Sequence, residues 1–369
     1  MLAVTHDGVF HADDVLGAAI LRKAYKNITI VRTRDPKVLE EADILFDVGS
    51  SYDPSSGRFD HHQANPPRRK NGIPNSASSL LWSHYRKDAI YNTLIDLGYG
   101  NSEFFHDHFD NIWRYIGGHI DYTLFVPTDV IDNGAGKYVL MDKNLPSPYK
   151  ATKSGGNDRE NSKSDVQYIH PDCQAYSVSA YLKTFNVAWW EDETEEEKQA
   201  GRFEEAVAVG EKMLTKLIED AFHFQMGRRN IIDQSLEASE SDTPHVLTLD
   251  RYIPWKSHLW ADELKKVDIR FVIYPKRSSG REEWMVAGVS PSKSSYHAVK
   301  TPFPASWGGL SGEDLRAESG YDDAVFCHRN LGLAAFKSKD SAFEVARSLS
   351  GNKRVSERPL VTSKDLRVL

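Results

Sequence analysis

Histidines and aspartates recur in short groups through the first third of the chain: His6, His11, Asp13 and Asp14; then Asp47; then Asp60, His61 and His62; then Asp129 and Asp132. Mixed imidazole and carboxylate donors suit divalent manganese, zinc, iron or cobalt better than calcium. His11 and Asp13 follow His6 by five and seven residues, a spacing that a continuous strand holds apart and a turn can gather onto one ion. Asp13 falls in the first turn of an expected helix, where the dipole favours an ionised carboxylate.

His61 and His62 are adjacent, and an extended backbone cannot point both the same way, so one is expected to bind metal while the other faces substrate. Asp132 supplies a turn carboxylate in Asp132-Asn133-Gly134, and Asp129 shares its face if the segment is helical. Any one of these groups alone is more often a cap, a turn or a surface acid. Their recurrence at successive strand ends favours a hydrolytic site holding two metal ions.

The elements that must position these residues are legible from periodicity. Leu2 to Thr5, Ile28 to Val31 and Ile44 to Val48 read as strands, and helices are expected over Val15 to Tyr25 and from Pro36 to Glu41. Such βαβαβ alternation implies a parallel sheet with His6 and Asp47 at one rim, beyond the carboxyl ends of the strands. Helical patterns follow over Ser76 to Tyr85 and Glu103 to Ile116, with an interruption expected at Gly117-Gly118.

Residues 142–167, rich in Pro, Gly, Ser and charge, read as a long loop. Phe203 to Phe222 has the pattern of an amphipathic helix, and Ser235 to Pro244 of a linker. Strands over Ile269 to Tyr274 and Trp284 to Val289 and a helix over Ala342 to Leu349 make a second α/β unit. The expected division is residues 1–234, a metal-binding catalytic domain, and residues 245–369, a smaller substrate-binding domain.

With 369 residues and 40% hydrophobic content, the chain can bury full cores, and two domains are the expectation because single cores stop growing near roughly 250–300 residues. A net charge of −7 gives no general attraction to nucleic acid or anionic membrane, so a phosphate-bearing ligand needs a local basic patch or metal. Cys173 and Cys327 are too few and too distant for a disulfide framework or a thiolate zinc site. No run approaches the ~18 apolar residues of a membrane span, and no leader precedes His6, which points to a cytoplasmic protein and is compatible with nuclear or mitochondrial residence.

Other signals weigh less. His106-Asp107-His108-Phe109-Asp110 places His106 and Asp110 on one helix face and His108 on another, as expected of a solvated surface. Cys327 and His328 are neighbours on a strand and face opposite sides, so a buried Cys is expected rather than a nucleophile. Gly98-Tyr99-Gly100 marks a loop, and no phosphate-cradling P-loop sequence occurs.

The motifs HDGVFHADD (His6 to Asp14), RTRDP (Arg32 to Pro36), DVGSSYDP (Asp47 to Pro54), RFDHHQ (Arg58 to Gln63) and DVIDNG (Asp129 to Gly134) resemble the melanocyte proliferating gene family, long labelled metal-dependent protein hydrolase and similar to the DHH phosphoesterases. The likeness continues through Ile253 to Lys256, Phe271 to Tyr274, Trp307 to Leu310 and Phe326 to His328. The resemblance implies a DHH-type α/β domain joined to a smaller carboxyl-terminal domain. It also implies two divalent ions, commonly manganese, held between His6, His11, Asp13, Asp47, His61 and Asp132, and phosphodiester hydrolysis, with eukaryotic members described as 3′-to-5′ RNA exonucleases.

On that scheme Asp47, with two oxygens, is the choice for a bridging ligand. His62 would contact a phosphoryl oxygen or protonate the leaving group, and Arg32, Arg34 or His328 would clamp phosphate. RNA or an oligonucleotide is the expected partner, and the oligomeric state is left open, a homodimer included. A hydrolase of a small phosphorylated metabolite and a non-catalytic RNA- or partner-binding protein with a structural metal site are the alternatives. Where family members tend to carry Gly-Gly after the late histidine, this chain has Ala334-Ala335, whose methyl groups are expected to crowd a backbone that approaches phosphate.

Overall fold

The computed structural model describes residues 1–134, 177–188, 190, 191, 196–278, 280–293, 295 and 298–351. The expected 142–167 loop and Cys173 lie outside the described residues. The chain divides into two compact units, Met1–His223 and Phe224–Leu369, each with its own five-stranded sheet.

In the first unit the expected alternation is present as β1 (Leu2–Thr5), α1 (Ala12–Ala24), β2 (Thr29–Arg32), α2 (Pro36–Glu41) and β3 (Ile44–Phe46), followed by β4 (Tyr52–Asp53) and β5 (Arg58–Phe59). The strand order is β2-β1-β3-β5-β4. Every pairing is parallel except that of the edge strand β4 with β5. Val4 pairs with Leu45, and Phe46 with Phe59, so β1, β3 and β5 end close together. The residues that follow, His6, Asp47 and Asp60, leave the sheet at one rim, where parallel α/β folds place their ligands.

Helix α1 is buried on nearly every side from Ala12 to Leu21 because the sheet and α3 (Ala77–Asp96) both pack on it. Gly17 permits the approach: a Cβ there would stand 2.9 Å from the ring of Phe46 and 3.0 Å from Leu81. Phe46, Phe59, Leu16, Ile20 and Trp82 are fully buried around this contact, each contributing about 1.5–3 kcal/mol.

Helix α4 (Glu103–Ile120) buries Phe105, Phe109, Ile112 and Ile116 along one stripe and leaves His106, Asp107 and Asp110 exposed. The expected interruption at Gly117-Gly118 is absent. Gly117 instead lies where a Cβ would meet Arg86 Cδ at 2.9 Å, and its carbonyl accepts the Trp82 indole N–H at 3.0 Å. The glycine serves close packing of α4 on α3, and the chain continues through a π-helical turn, Asp121–Phe125, into α5 (Val126–Asp132).

Helix α6 (Val178–Lys183) is short, and α7 (Glu196–Ser239) is long. The expected linker from Ser235 begins inside α7, where Ile231, Ile232 and Ser235 are buried and hold the helix beyond Phe222. Among the described residues no helix is long and apolar enough to cross a membrane.

The second unit contains β6 (Val246–Thr248), β7 (Phe271–Ser278), β8 (Arg281–Gly288), α8 (Gly312–Ser319), β9 (Ala324–Cys327), β10 (Leu333–Phe336) and α9 (Lys339–Gly351). Its order is β6-β7-β8-β10-β9, parallel only between β6 and β7 and antiparallel elsewhere. Ala334 and Ala335 are fully buried in β10, between β8 and β9. Their methyl groups therefore pack in the unit's interior and do not crowd an open phosphate site, contrary to the sequence expectation. Cys327 is buried, as a small apolar side chain would be.

Candidate metal centre

Beyond β1, His6 is fixed first by its own turn. Its Nδ1 lies 2.8 Å from the Asp7 carbonyl; a carbonyl only accepts, so Nδ1 carries the proton and Nε2 is the nitrogen that can ligate. That Nε2 stands 3.1 Å from Asp14 Oδ2 and 3.2 Å from Asp47 Oδ2. His61 Nε2 stands 3.3 Å from Asp47 Oδ1, 3.4 Å from Asp132 Oδ2 and 3.7 Å from Asp13 Oδ2. Asp47 thus turns one oxygen to each histidine.

Two groups result, His6 with Asp14 and Asp47, and Asp13 with His61 and Asp132; within each, the donor atoms lie within 4.8 Å of one another. A third such group joins Asp47, Asp60, His61 and His62. The backbone at this rim is bent to serve it: Asp47 and Ser50 have φ of 55° and 52°, a left-handed conformation that costs a non-glycine residue roughly 1–2 kcal/mol.

The electrostatics call for a cation. Both oxygens of Asp13 are buried with no hydrogen-bond partner, and Oδ2 of Asp14 and Oδ1 of Asp47 are buried facing imidazole nitrogens alone, an arrangement that is costly unless positive charge is supplied. Burial, with Asp47, Asp132 and Asp14 nearby, drives the Asp13 carboxyl well above its ordinary pKa. Burial likewise raises Asp14 against the opposing pull of His6, and raises Asp132.

Burial opposes ionisation of Asp47 too, but the two imidazoles outweigh it and hold the carboxyl at about 2. His6 is disfavoured as a cation by burial, yet Asp14 and Asp47 lift its pKa to about 10. When ionised together, as a bound cation would favour, four carboxylates outweigh two imidazoles in charge, and the donor set of nitrogen and oxygen fits divalent manganese, zinc or iron.

His62 is held differently from His61. Asp60, buried, accepts the backbone N–H groups of His61 at 2.7 Å and His62 at 3.2 Å, and its Oδ1 lies 2.7 Å from His62 Nδ1. The His61 side chain is 8% exposed and that of His62 58%. His62 thus faces a cavity of about 1120 Å³ whose lining includes His6, His11, Asp47, His61 and Asp132.

The remaining sequence candidates have distinct places. His11 caps α1 and lines the cavity with its ring 6.0 Å from that of His6, outside the converging groups. Asp129, expected as a ligand, is turned away: Ser79 Oγ donates to its Oδ1 at 2.5 Å, the Ser76 N–H to the same oxygen at 2.8 Å, and Arg69 Nε to its Oδ2. Both oxygens are engaged, and the residue locks α5 to the start of α3.

Arg32, expected to clamp phosphate, lies over the rings of Phe10 and Phe203 at 5.4 and 4.7 Å and donates to the Gly8 carbonyl at 2.7 Å. Packing and that bond commit it to holding the His6–His11 loop. Arg34 lines the cavity, donates to Asp7 and remains 59% exposed. His328 belongs to the second unit, where its Nδ1 lies 2.8 Å from Asn330 Oδ1.

Two features were not assigned from the sequence. Asp14 stands beside Asp13 in a helix first turn and reads as a cap; it does cap His11 N at 3.0 Å through Oδ1, leaving Oδ2 for His6. The only signal was the doubled acid. Asn186 and Gln199 fasten the same loop from far along the chain, and no local pattern marks them.

Comparison with known proteins places the chain. The family model MYG1_exonuc, described as "Uncharacterised protein family (UPF0160)", matches residues 2–349. The chain is 28% identical over 354 residues to "MYG1 protein" of Dictyostelium discoideum, covering 93% of this chain and 94% of that one. It is 25% identical over 373 residues to "MYG1 exonuclease" of Homo sapiens, covering 93% and 84%.

Among solved structures, a pGpG-specific phosphodiesterase, PggH from Vibrio, aligns over 95% of this chain and 96% of that one at 11% identity with a TM-score of 0.22, too weak a likeness to carry any argument. The family match spans both units and every motif around the cavity, and on it the chain belongs to the MYG1 family.

Proposed function

We propose that this protein is a metal-dependent phosphodiesterase, a 3′-to-5′ exonuclease acting on RNA or short oligonucleotides. The observation that carries the reading is Asp47, which presents one oxygen to His6 and the other to His61 at the floor of a polar-rimmed cavity. A carboxylate so placed is suited to bridge two cations. The name "MYG1 exonuclease" borne by relatives supports the reaction class.

His6, Asp14 and Asp47 would hold one ion; Asp13, Asp47, His61 and Asp132 would hold the other, with His11 at the cavity wall able to join by rotation of its ring. Bound there, a divalent pair, manganese in the family's pattern, supplies Lewis-acid activation of water and neutralises charge at the phosphate. The protein's own groups do the rest. Asp60 holds the Nδ1 proton of His62, which leaves Nε2 as the nitrogen that would face the phosphate: it donates to a phosphoryl oxygen or the leaving group only in the imidazolium form and accepts a proton in the neutral form. Arg34 keeps exposed guanidinium donors for a non-bridging oxygen.

A cavity of about 1120 Å³ lies at the upper end of the ~300–1,000 Å³ of small-ligand pockets and has room for the end of an oligonucleotide. The test is metal analysis of the purified protein, followed by incubation in manganese with 5′-labelled RNA, single-stranded DNA and a dinucleotide. A ladder shortening from the 3′ end is expected. Turnover of small phosphates alone would move the assignment to a metabolite hydrolase, and retention of RNA without cleavage would move it to a binding protein.

A further inference from the structure

We propose that Lys183 is a second phosphate subsite of the same cavity, taking the backbone phosphate next to the scissile one. The proposal rests on the nuclease reading above and gives the site a preference for chains with at least two phosphodiester groups over a dinucleotide with one.

Lys183 is the last residue of α6, exposed, and lines the cavity that holds the acid and histidine groups. Among the described residues its ammonium forms no ion pair. The other basic side chains at this end of the sheet are committed: Arg32 to Gly8 and two aromatic rings, Arg34 in part to Asp7. An unpaired cation held at the rim of an acid-lined site suits an anion that arrives from solution, and the negative groups of a nucleic acid are its phosphates.

Its placement is built, not incidental. Leu182, fully buried, anchors α6. Asn186 Nδ2 donates both to the Lys183 carbonyl at 3.2 Å and to the Phe10 carbonyl at 2.8 Å. The backbone of Lys183 is therefore tied to the loop that carries His6 and His11. Ser177 lines the same wall, and because its Oγ accepts the Ala180 N–H at 3.1 Å its own proton is free to donate to a phosphate oxygen. Lysine here acts as a mobile point charge, fit for a phosphodiester of variable pose.

The discriminating experiment compares ApA, which has one phosphodiester, with ApApA, which has two, in the manganese-loaded wild type, Lys183→Met and Lys183→Arg. The expected result for Lys183→Met is a KM raised roughly fivefold for ApApA and unchanged for ApA, with kcat, metal content and melting temperature preserved, and recovery in Lys183→Arg. A fluorescein-labelled phosphorothioate oligoribonucleotide should bind Lys183→Met with a log Kd against log salt slope smaller by about 0.7.

Equal KM values for ApApA in Lys183→Met and wild type, or an equal rise for both compounds, overturn the subsite while leaving the nuclease reading intact. If the wild type cleaves neither compound nor longer RNA, the nuclease reading falls and the subsite falls with it.

Discussion

The side-chain amide of Asn186 pairs with the backbone of Phe10 in both directions: the Phe10 N–H donates to Oδ1 at 2.9 Å, and Nδ2 donates to the Phe10 carbonyl at 2.8 Å. Gln199 extends the clamp, donating to the Asn186 Oδ1 at 2.8 Å and to the Gly8 carbonyl at 3.0 Å. A segment distant in sequence thereby sets the path of the loop between His6 and His11. Asn186→Ala is expected to destabilise the fold by about 1–3 kcal/mol, because two backbone groups lose their partners. It should also weaken metal binding about 10- to 100-fold, as losses of ligand-orienting groups do. Calorimetric manganese titration beside urea unfolding measures both; intact metal affinity in Asn186→Ala would show that the loop holds its shape alone.

That clamp also marks the limit of what local pattern can reveal. His6, Asp47 and Asp60-His61 are legible because each directly follows a short strand-like segment, apolar before His6 and Asp47 and Arg58-Phe59 before Asp60, and parallel strands of one sheet end at one rim. Lys183, Asn186 and Gln199 are not, because their roles arise from α6 and the start of α7 packing against the first loop. Asp129 reads as a ligand from the sequence because an i, i+3 spacing with Asp132 gives neighbouring positions on α5, whereas in the fold Arg69 and two serines beside α3 contact its oxygens. Gly117-Gly118 reads locally as a break, whereas close contact with Arg86 explains the glycine.

The separation of roles on α5 gives a paired prediction. Asp132→Asn should lower bound metal to at most one equivalent and depress kcat by at least 100-fold, with little change in the melting temperature measured in EDTA, since it removes a charged donor facing His61. Asp129→Asn should do the reverse. It leaves the partly buried Arg69 with Asp121 alone, costing about 3 kcal/mol, while metal content survives. Inductively coupled plasma analysis and thermal unfolding of the two variants read the distinction; metal loss in Asp129→Asn with unchanged stability would return that residue to the ligand set.

Metal removal should destabilise the first unit. The closely gathered, buried oxygens of Asp13, Asp14 and Asp47 repel one another unless a cation or protons intervene, so ligand linkage predicts about 4 kcal/mol of added stability at metal concentrations near 1,000 times Kd. Melting temperature should fall in EDTA and climb again with added manganese in a concentration-dependent manner. Asp14→Asn should shrink that increment, because Asp14 Oδ2 faces His6 at 3.1 Å. A melting temperature indifferent to EDTA in metal-replete protein would argue against a resident ion.

A separate acid sensitivity is expected in the second unit, at His258. The side chain is 2% exposed, its Nε2 has no hydrogen-bond partner, and Phe224 packs edge-on at 4.5 Å. Burial, with the Arg228 guanidinium adding to it, lowers the pKa from 6.5 to about 4; Glu263 pairs with Arg228 at 3.0 Å and moderates the second contribution. The folded protein therefore keeps His258 neutral between those values, while the unfolded chain takes up a proton. Stability from this residue is complete above about pH 6.5, declines as pH falls through the window, and levels off below about 4. The full difference is on the order of 3 kcal/mol. Urea unfolding in EDTA at pH 7.5 and pH 4.5 keeps metal release out of the comparison. His258→Leu, which cannot be protonated, should lose less stability between the two pH values than wild type by most of that amount. An unchanged acid slope in the variant would place the sensitivity elsewhere, in the carboxylates of the first unit.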